Sequence, residues 1–358
     1  MRRAALAAVL AGHLVAIPMG DTRAQSVCPG TTVTLSPTGQ WDAQRGGHPL
    51  VGTVMKGTAP LTAAAGDACA ARPIDLLRQA ASAHLAEGGI VLLGEIHDNG
   101  AQHALRAALL QAVTADLDGP RKLRAPALVF EHIRTDQSAA LATRPAPTSE
   151  GARDLLARLD WKNSGWPAAE LFLPIFEVAA IRSLPIVPGH PTRAEVRDVA
   201  RRGLAALPAE ETSRLGLDVP LPDPLASALL DELEASHCGL MPRTAFTNMA
   251  LAQRYRDAHM AAALIEAAKA HGSAVLFAGN GHVRADRGVP WDLSRMAPER
   301  KILSVMLTEV RDDRTDAAAY IERDPEGKPA ADFTILTPRT DRPDPCEAMR
   351  ARFKKPAK

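Results

Sequence analysis

The sequence predicts an α/β fold: a mostly parallel β-sheet with helices on both faces, a short β-rich N-terminal extension and an α-helical insertion. Two observations lead there. Short, wholly apolar runs bounded by Gly or Pro recur along the chain, as in strands buried on both faces. Between them lie longer stretches with apolar residues at helical spacing, and strands alternating with helices imply βαβ units.

Residues 25–71 are rich in Gly, Pro and Thr, and 31–35 and 50–54 have the composition of short strands joined as a hairpin. From residue 72 the period lengthens. Residues 73–85 read as a helix with Pro73 at its first position, 89–93 as a buried strand, and 101–117 as an amphipathic helix. A second strand is expected over 125–130, then a helix over 168–182 that Pro174 should kink or restart. A third strand, 184–187, carries a proline. Helical patterns over 193–206, 224–237 and 243–270 form the insertion. Strands at 273–278 and 302–307 follow, with 333–336 as an edge. The main domain thus spans 72–337, and the tail 338–358, rich in Pro, Asp and Lys, reads as loose apart from Cys346.

The N-terminus reads as an export signal. Arg2 and Arg3 precede an apolar run over 4–17, and Thr22-Arg23-Ala24 supplies the small residues of a cleavage site, giving a signal peptide over 1–24. The run is shorter than the roughly 20 residues an anchor needs, and no later stretch is long and apolar enough to cross a bilayer. Gln25-Ser26-Val27 before Cys28 lacks the small residues of a lipoprotein site. A periplasmic protein is expected, not an integral membrane one. The 42 basic and 41 acidic residues nearly cancel, which disfavours nucleic acid or an anionic membrane as partner. Four cysteines without a C-x-x-C favour two disulfides over zinc or redox motifs in an oxidising compartment. Of three pairings, Cys28–Cys69 with Cys238–Cys346 is preferred.

Polar groups collect just after the apolar strands: Glu95, His97 and Asp98 after the first, Glu131-His132 after the second, His190 after the third, and Gly279-Asn280-Gly281-His282 after the fourth. In a parallel sheet these ends share one edge, where open α/β sheets bind ligands. Glu95 and His97 are two apart on extended chain and should point the same way. Glu95, His97, Glu131 and His282 are the candidate catalytic residues, and Glu95, His97 and His282 a first shell for a divalent transition metal. The same residues serve equally as acid/base pairs or as a hydrogen-bonded structural network. No H-E-x-x-H, G-x-S-x-G, Walker A or GxGxxG pattern occurs, which disfavours serine-triad chemistry and nucleotide binding.

At these residues the sequence resembles the ChaN-like haem-binding family of the wider Tiki and erythromycin-esterase-like superfamily. The resemblance rests on Val91-Leu-Leu-Gly-Glu-Ile-His-Asp-Asn99 with His103, on Val129-Phe-Glu131, and on 166–177 leading into 184–187. It continues through Ala252-Gln-Arg-Tyr-Arg-Asp257 with Met260 and Ala278-Gly-Asn-Gly-His-Val283 with Gly288-Val-Pro290, so that it spans about 72–295. It implies a bacterial exported protein of haem or iron uptake, with haem at a homodimer interface, and superfamily kinship to proposed metal-dependent hydrolases. Carried over by residue, Glu95, His97, Glu131 and His282 take the polar-site positions, while Gln253 and Asp257 form a helix pair one turn apart. Tyr255 is the first candidate axial ligand, and His190 stands where relatives are expected to have Asn. Phe172 occupies a position that is often Tyr.

Overall fold

The structure, a computed structural model, describes residues 48–62, 72–115 and 124–353. Its strands are β1 (Val54–Lys56), β2 (Ala59–Pro60), β3 (Ile90–Leu93), β4 (Ala127–Arg134), β5 (Ile186–His190), β6 (Ala274–Phe277), β7 (Ile302–Glu309) and β8 (Phe333–Thr337). They form one sheet in the order β2-β1-β8-β7-β3-β6-β4-β5. All neighbours from β8 to β5 pair in parallel, and only β1 runs antiparallel, to β8 and β2.

Strand alternation divides the core into two layers. Val91, Leu93, Leu128, Phe130, Val275 and Phe277 face one layer, packed under the helices Pro73–Ala86, Gly100–Ala115, Ser149–Arg158 and Ala169–Ile181. Ile90, Leu92, Ala127, Val129, Ala274 and Leu276 face the other, covered by the long helix Thr247–His271 and by Val289–Met296. Burial on both faces is what makes these strands read as continuous apolar runs.

Several boundaries differ from expectation. Strand β1 begins where the 50–54 run ends, and its hairpin partner is Ala59–Pro60. Because β1 covers β8, Phe333–Thr337 is an interior strand instead of an edge. The parallel part of the sheet ends at β5, an edge strand, which is why Pro188 is tolerated there. Pro174 lies inside an unbroken Ala169–Ile181 helix. The tail carries a helix, Pro345–Phe353, tied to the end of the Asp223–Ser236 helix by the Cys238–Cys346 disulfide. The signal segment, 31–35 and Cys28–Cys69 lie outside the described residues. Among the described residues no helix is long and apolar enough to cross a membrane.

Candidate functional site at the carboxyl edge of the sheet

Leu93, Phe277 and Phe130 are register partners across β3, β6 and β4. Two residues further along each strand direction stand Glu95, Gly279 and His132. Alternation sends Glu95 and His132 to the side of Leu93 and Phe130, and Glu131 to the side of Val129. The site therefore has two halves, one on each face of the sheet.

In the first half a single buried carboxylate collects the cations and imidazoles around it. Glu95 Oε1 lies 2.6 Å from His97 Nδ1 and 2.9 Å from His132 Nε2. Its other oxygen pairs with Arg106, and His103 Nδ1 is 3.4 Å away. His103 and Arg106 come from the buried face of the Gly100–Ala115 helix. His103 Nε2 donates to the His97 carbonyl at 2.9 Å, leaving Nδ1 to accept from Arg106 Nη2 at 2.7 Å. That arrangement requires a neutral ring, and burial pulls His103 down to about 4. Burial also holds His132 well below the usual imidazole range, and lowers His97 against the pull of Glu131. Trp166 walls the cleft, with its ring 4.9 Å from His97 and 4.6 Å from His132, and its indole N–H donates to the His132 carbonyl at 3.1 Å. Phe172 packs 4.1 Å from His103 and 4.7 Å from His132.

The second half inverts this pattern: one imidazole sits between two carboxylates. His282 Nε2 is 3.1 Å from Glu131 Oε1, and its Nδ1 is 2.5 Å from Asp257 Oδ1. Burial alone would neutralise His282, but Glu131 and then Asp257 outweigh it and push the ring up to about 9. Glu131 would be raised by burial, yet His282, His97 and His132 together hold it well below the carboxylate range. Burial raises Asp257 in spite of His282. Glu131 Oε2 also accepts the Gly279 N–H at 2.7 Å. Gly279 is what lets the halves touch: a Cβ there would lie 2.9 Å from His97 Cε1 and 3.1 Å from its Nε2.

The structure thus gathers Glu95, His97, Glu131, His282 and Asp257, with Gln253 Nε2 3.1 Å from His282 Nδ1. Glu131 and His132 lie within β4, not after it. Among the described residues, Glu95, His97 and His132 are the group whose ligand atoms all come within 4.8 Å of one another. His282, expected as the third ligand, is engaged by Glu131 and Asp257 instead. His190 closes the end of β5, its Nδ1 2.6 Å from the Pro191 carbonyl, and burial lowers it to about 4. Tyr255 is not brought to the site. It is two residues from both Gln253 and Asp257, hence on the other side of the helix, and packs with Val199, Leu215 and Leu217. The chain's other tyrosine, Tyr320, bonds the Arg311 and Arg314 carbonyls. A tyrosine-ligated haem therefore does not fit the residues of this cleft, whereas one carboxylate and two neutral imidazoles are a fitting donor set for a divalent transition metal.

From outside the cleft, Arg342 of the tail grips the loop beyond Glu95. Its Nε and Nη2 contact Asp98 at 2.7 and 2.8 Å, and its Nη1 and Nη2 contact Glu309 at 2.8 and 2.6 Å.

A family model described as "Haem-binding uptake, Tiki superfamily, ChaN" matches residues 81–293, more than half of the chain. The chain belongs to the ChaN family. Every residue of both site halves falls within that span, whereas Arg342 and Cys346 of the tail lie beyond it. A structure of ChaN from Campylobacter jejuni, which binds heme cofacially, superposes with a TM-score of 0.53 at 17% identity, covering 72% of this chain and 90% of that one. The two share the fold. An erythromycin esterase EreC mutant in its open conformation is 14% identical over 76% of this chain and 80% of that one, with a TM-score of 0.38. The type III effector HopBA1 is 14% identical over 75% of this chain and 94% of that one, also at 0.38. No curated protein matches the chain.

Proposed function

We propose that this ChaN-family protein holds a divalent transition metal through Glu95, His97 and His132 and hydrolyses an ester or amide in the adjoining cleft. The observation that carries the reading is that set of three, a carboxylate and two imidazoles kept neutral by burial, with ligand atoms within 4.8 Å. A divalent ion there would supply Lewis acidity toward a carbonyl. His282, kept protonated between Glu131 and Asp257 with one N–H directed at each, holds Glu131 in its charged form beside His97. Trp166 covers the His97 and His132 rings and limits water on that side. The protein acts after export to the periplasm, a reading supported by the Arg2-Arg3 leader pattern and by the Cys238–Cys346 disulfide.

The test is turnover of a panel of carboxylic esters and amides by protein purified without chelator. Turnover should stop with a chelator and return with zinc or manganese. A metal-loaded protein inert on the whole panel contradicts the hydrolase reading.

The family match favours a second reading, haem binding in uptake; on that reading the haem would be shared between two copies of the chain. With both tyrosines engaged elsewhere, the ligand on this reading is His97, whose side chain is 38% exposed. Haemin titration should then give a Soret shift that His97→Ala removes. A flat titration rules this reading out.

A further inference from the structure

The long helix places one cation in the cleft that neither the metal set nor the His282 relay uses. Arg256 is half-buried and stands one residue before Asp257. One guanidinium nitrogen donates to Gln253 Oε1, and the Gln253 amide in turn meets His282 Nδ1 at 3.1 Å. Its Nε is buried without a hydrogen-bond partner. No carboxylate among the described residues pairs with it, because the acids nearby are already engaged: Glu95 by Arg106, and Glu131 and Asp257 by His282. Its charge acts on His97 beyond β3, on His190 at the end of β5 and on Asp257 of its own helix. The Gln253 side chain, which touches both Arg256 and His282, sets Arg256 beside the His282 half of the site.

A half-buried guanidinium without a counter-ion is costly to keep. Its planar fork carries five N–H donors matched to a carboxylate, and here a glutamine oxygen occupies only part of it. A carboxylate arriving from the cleft would pair with the terminal nitrogens, which unlike Nε are not closed off, and would supply the missing counter-charge.

We infer that Arg256 is the anion-binding element of the cleft and that the ligand handled beside His97 carries a free carboxylate. This rests on the proposed site and narrows it to acidic ligands. The carboxylate has two sources under the readings above, an acidic substrate or the propionates of a haem, and matched pairs of probes separate them.

Holoprotein is assayed on 4-nitrophenyl hydrogen succinate against its methyl ester, and titrated with haemin against haemin dimethyl ester. The free acid should be preferred about tenfold or more in one pair, which names the source. The preference should fall to near one in Arg256→Gln and be partly kept in Arg256→Lys, with the metal content of both variants unchanged. A wild type that shows no free-acid preference, or takes neither free acid, overturns the inference. So does a preference that survives in Arg256→Gln. Protein that holds no metal yet keeps an Arg256-dependent preference would sink the metal reading and leave this one standing.

Discussion

Glu95 and His282 sit on opposite faces of the same sheet edge and solve opposite electrostatic problems. Glu95 is one carboxylate among three imidazoles and a guanidinium, so the imidazoles near it can remain neutral because Arg106 already balances its charge. His282 is one imidazole between two carboxylates, and those two hold it charged. The same residue types thus give a neutral, ligand-like half and an ionic, proton-holding half. What differs is the ratio of acids to bases that each covering helix contributes: His103 and Arg106 on one side, Asp257 on the other.

The largest expected effect separates the two halves by stability. His282→Ala leaves Glu131 and Asp257 buried without their cation and should cost about 3–5 kcal/mol in urea unfolding. His97→Ala removes a partly exposed ring while Glu95 keeps Arg106 and His132, and should cost about 1 kcal/mol. Equal losses would break the comparison.

The pH dependence should show the same division. His282 is raised to about 9, so its contribution is full below the unfolded value near 6.5 and is lost as pH rises through 9. His103 is lowered to about 4, so its contribution is present above about 6.5 and is lost as pH falls through 4. Each wing is worth on the order of 3 kcal/mol. Unfolding midpoints measured across pH should lose their alkaline slope in His282→Gln and their acid slope in His103→Gln. A slope unchanged by its own substitution contradicts the assignment.

A smaller effect is expected from the tail. Arg342→Ala frees Asp98 from its clamp and should cost about 1 kcal/mol, since the pair is partly exposed. It should also weaken metal binding by about tenfold through the loop that carries His97. The His282 half has no such tether, so the alkaline wing of the stability profile should be unmoved. A shift of that wing in Arg342→Ala would mean the halves are not separable.

The sheet and its polar edge were legible because strands buried on both faces leave apolar runs, and each run ends where polar residues begin. The same rule misplaced the end of β4. Glu131 and His132 are buried strand residues, and only partners distant in sequence (Gly279, His282, Glu95) make their polarity tolerable there. His132 was visible at the edge beside Glu131 but was not chosen as a ligand, although it follows Phe130 at the strand period. Arg106 left a visible trace as a charge on the apolar face of a helix, but its carboxylate partner lies across the fold. Tyr255 could have been set aside from sequence, since a two-residue offset from Gln253 and Asp257 turns it away from them. The tail helix was illegible because its composition is that of a loop, and its fastening to Cys238, Asp98 and Glu309 is entirely long-range.

The central claim is that the metal belongs to the Glu95 half alone. The direct measurement is elemental analysis of wild type, His132→Ala and His282→Gln, each purified without chelator and folded by circular dichroism. The account predicts about one transition-metal ion per chain in wild type and His282→Gln, and a loss of at least tenfold in occupancy at limiting metal in His132→Ala. Metal retained by His132→Ala and lost from His282→Gln would contradict it.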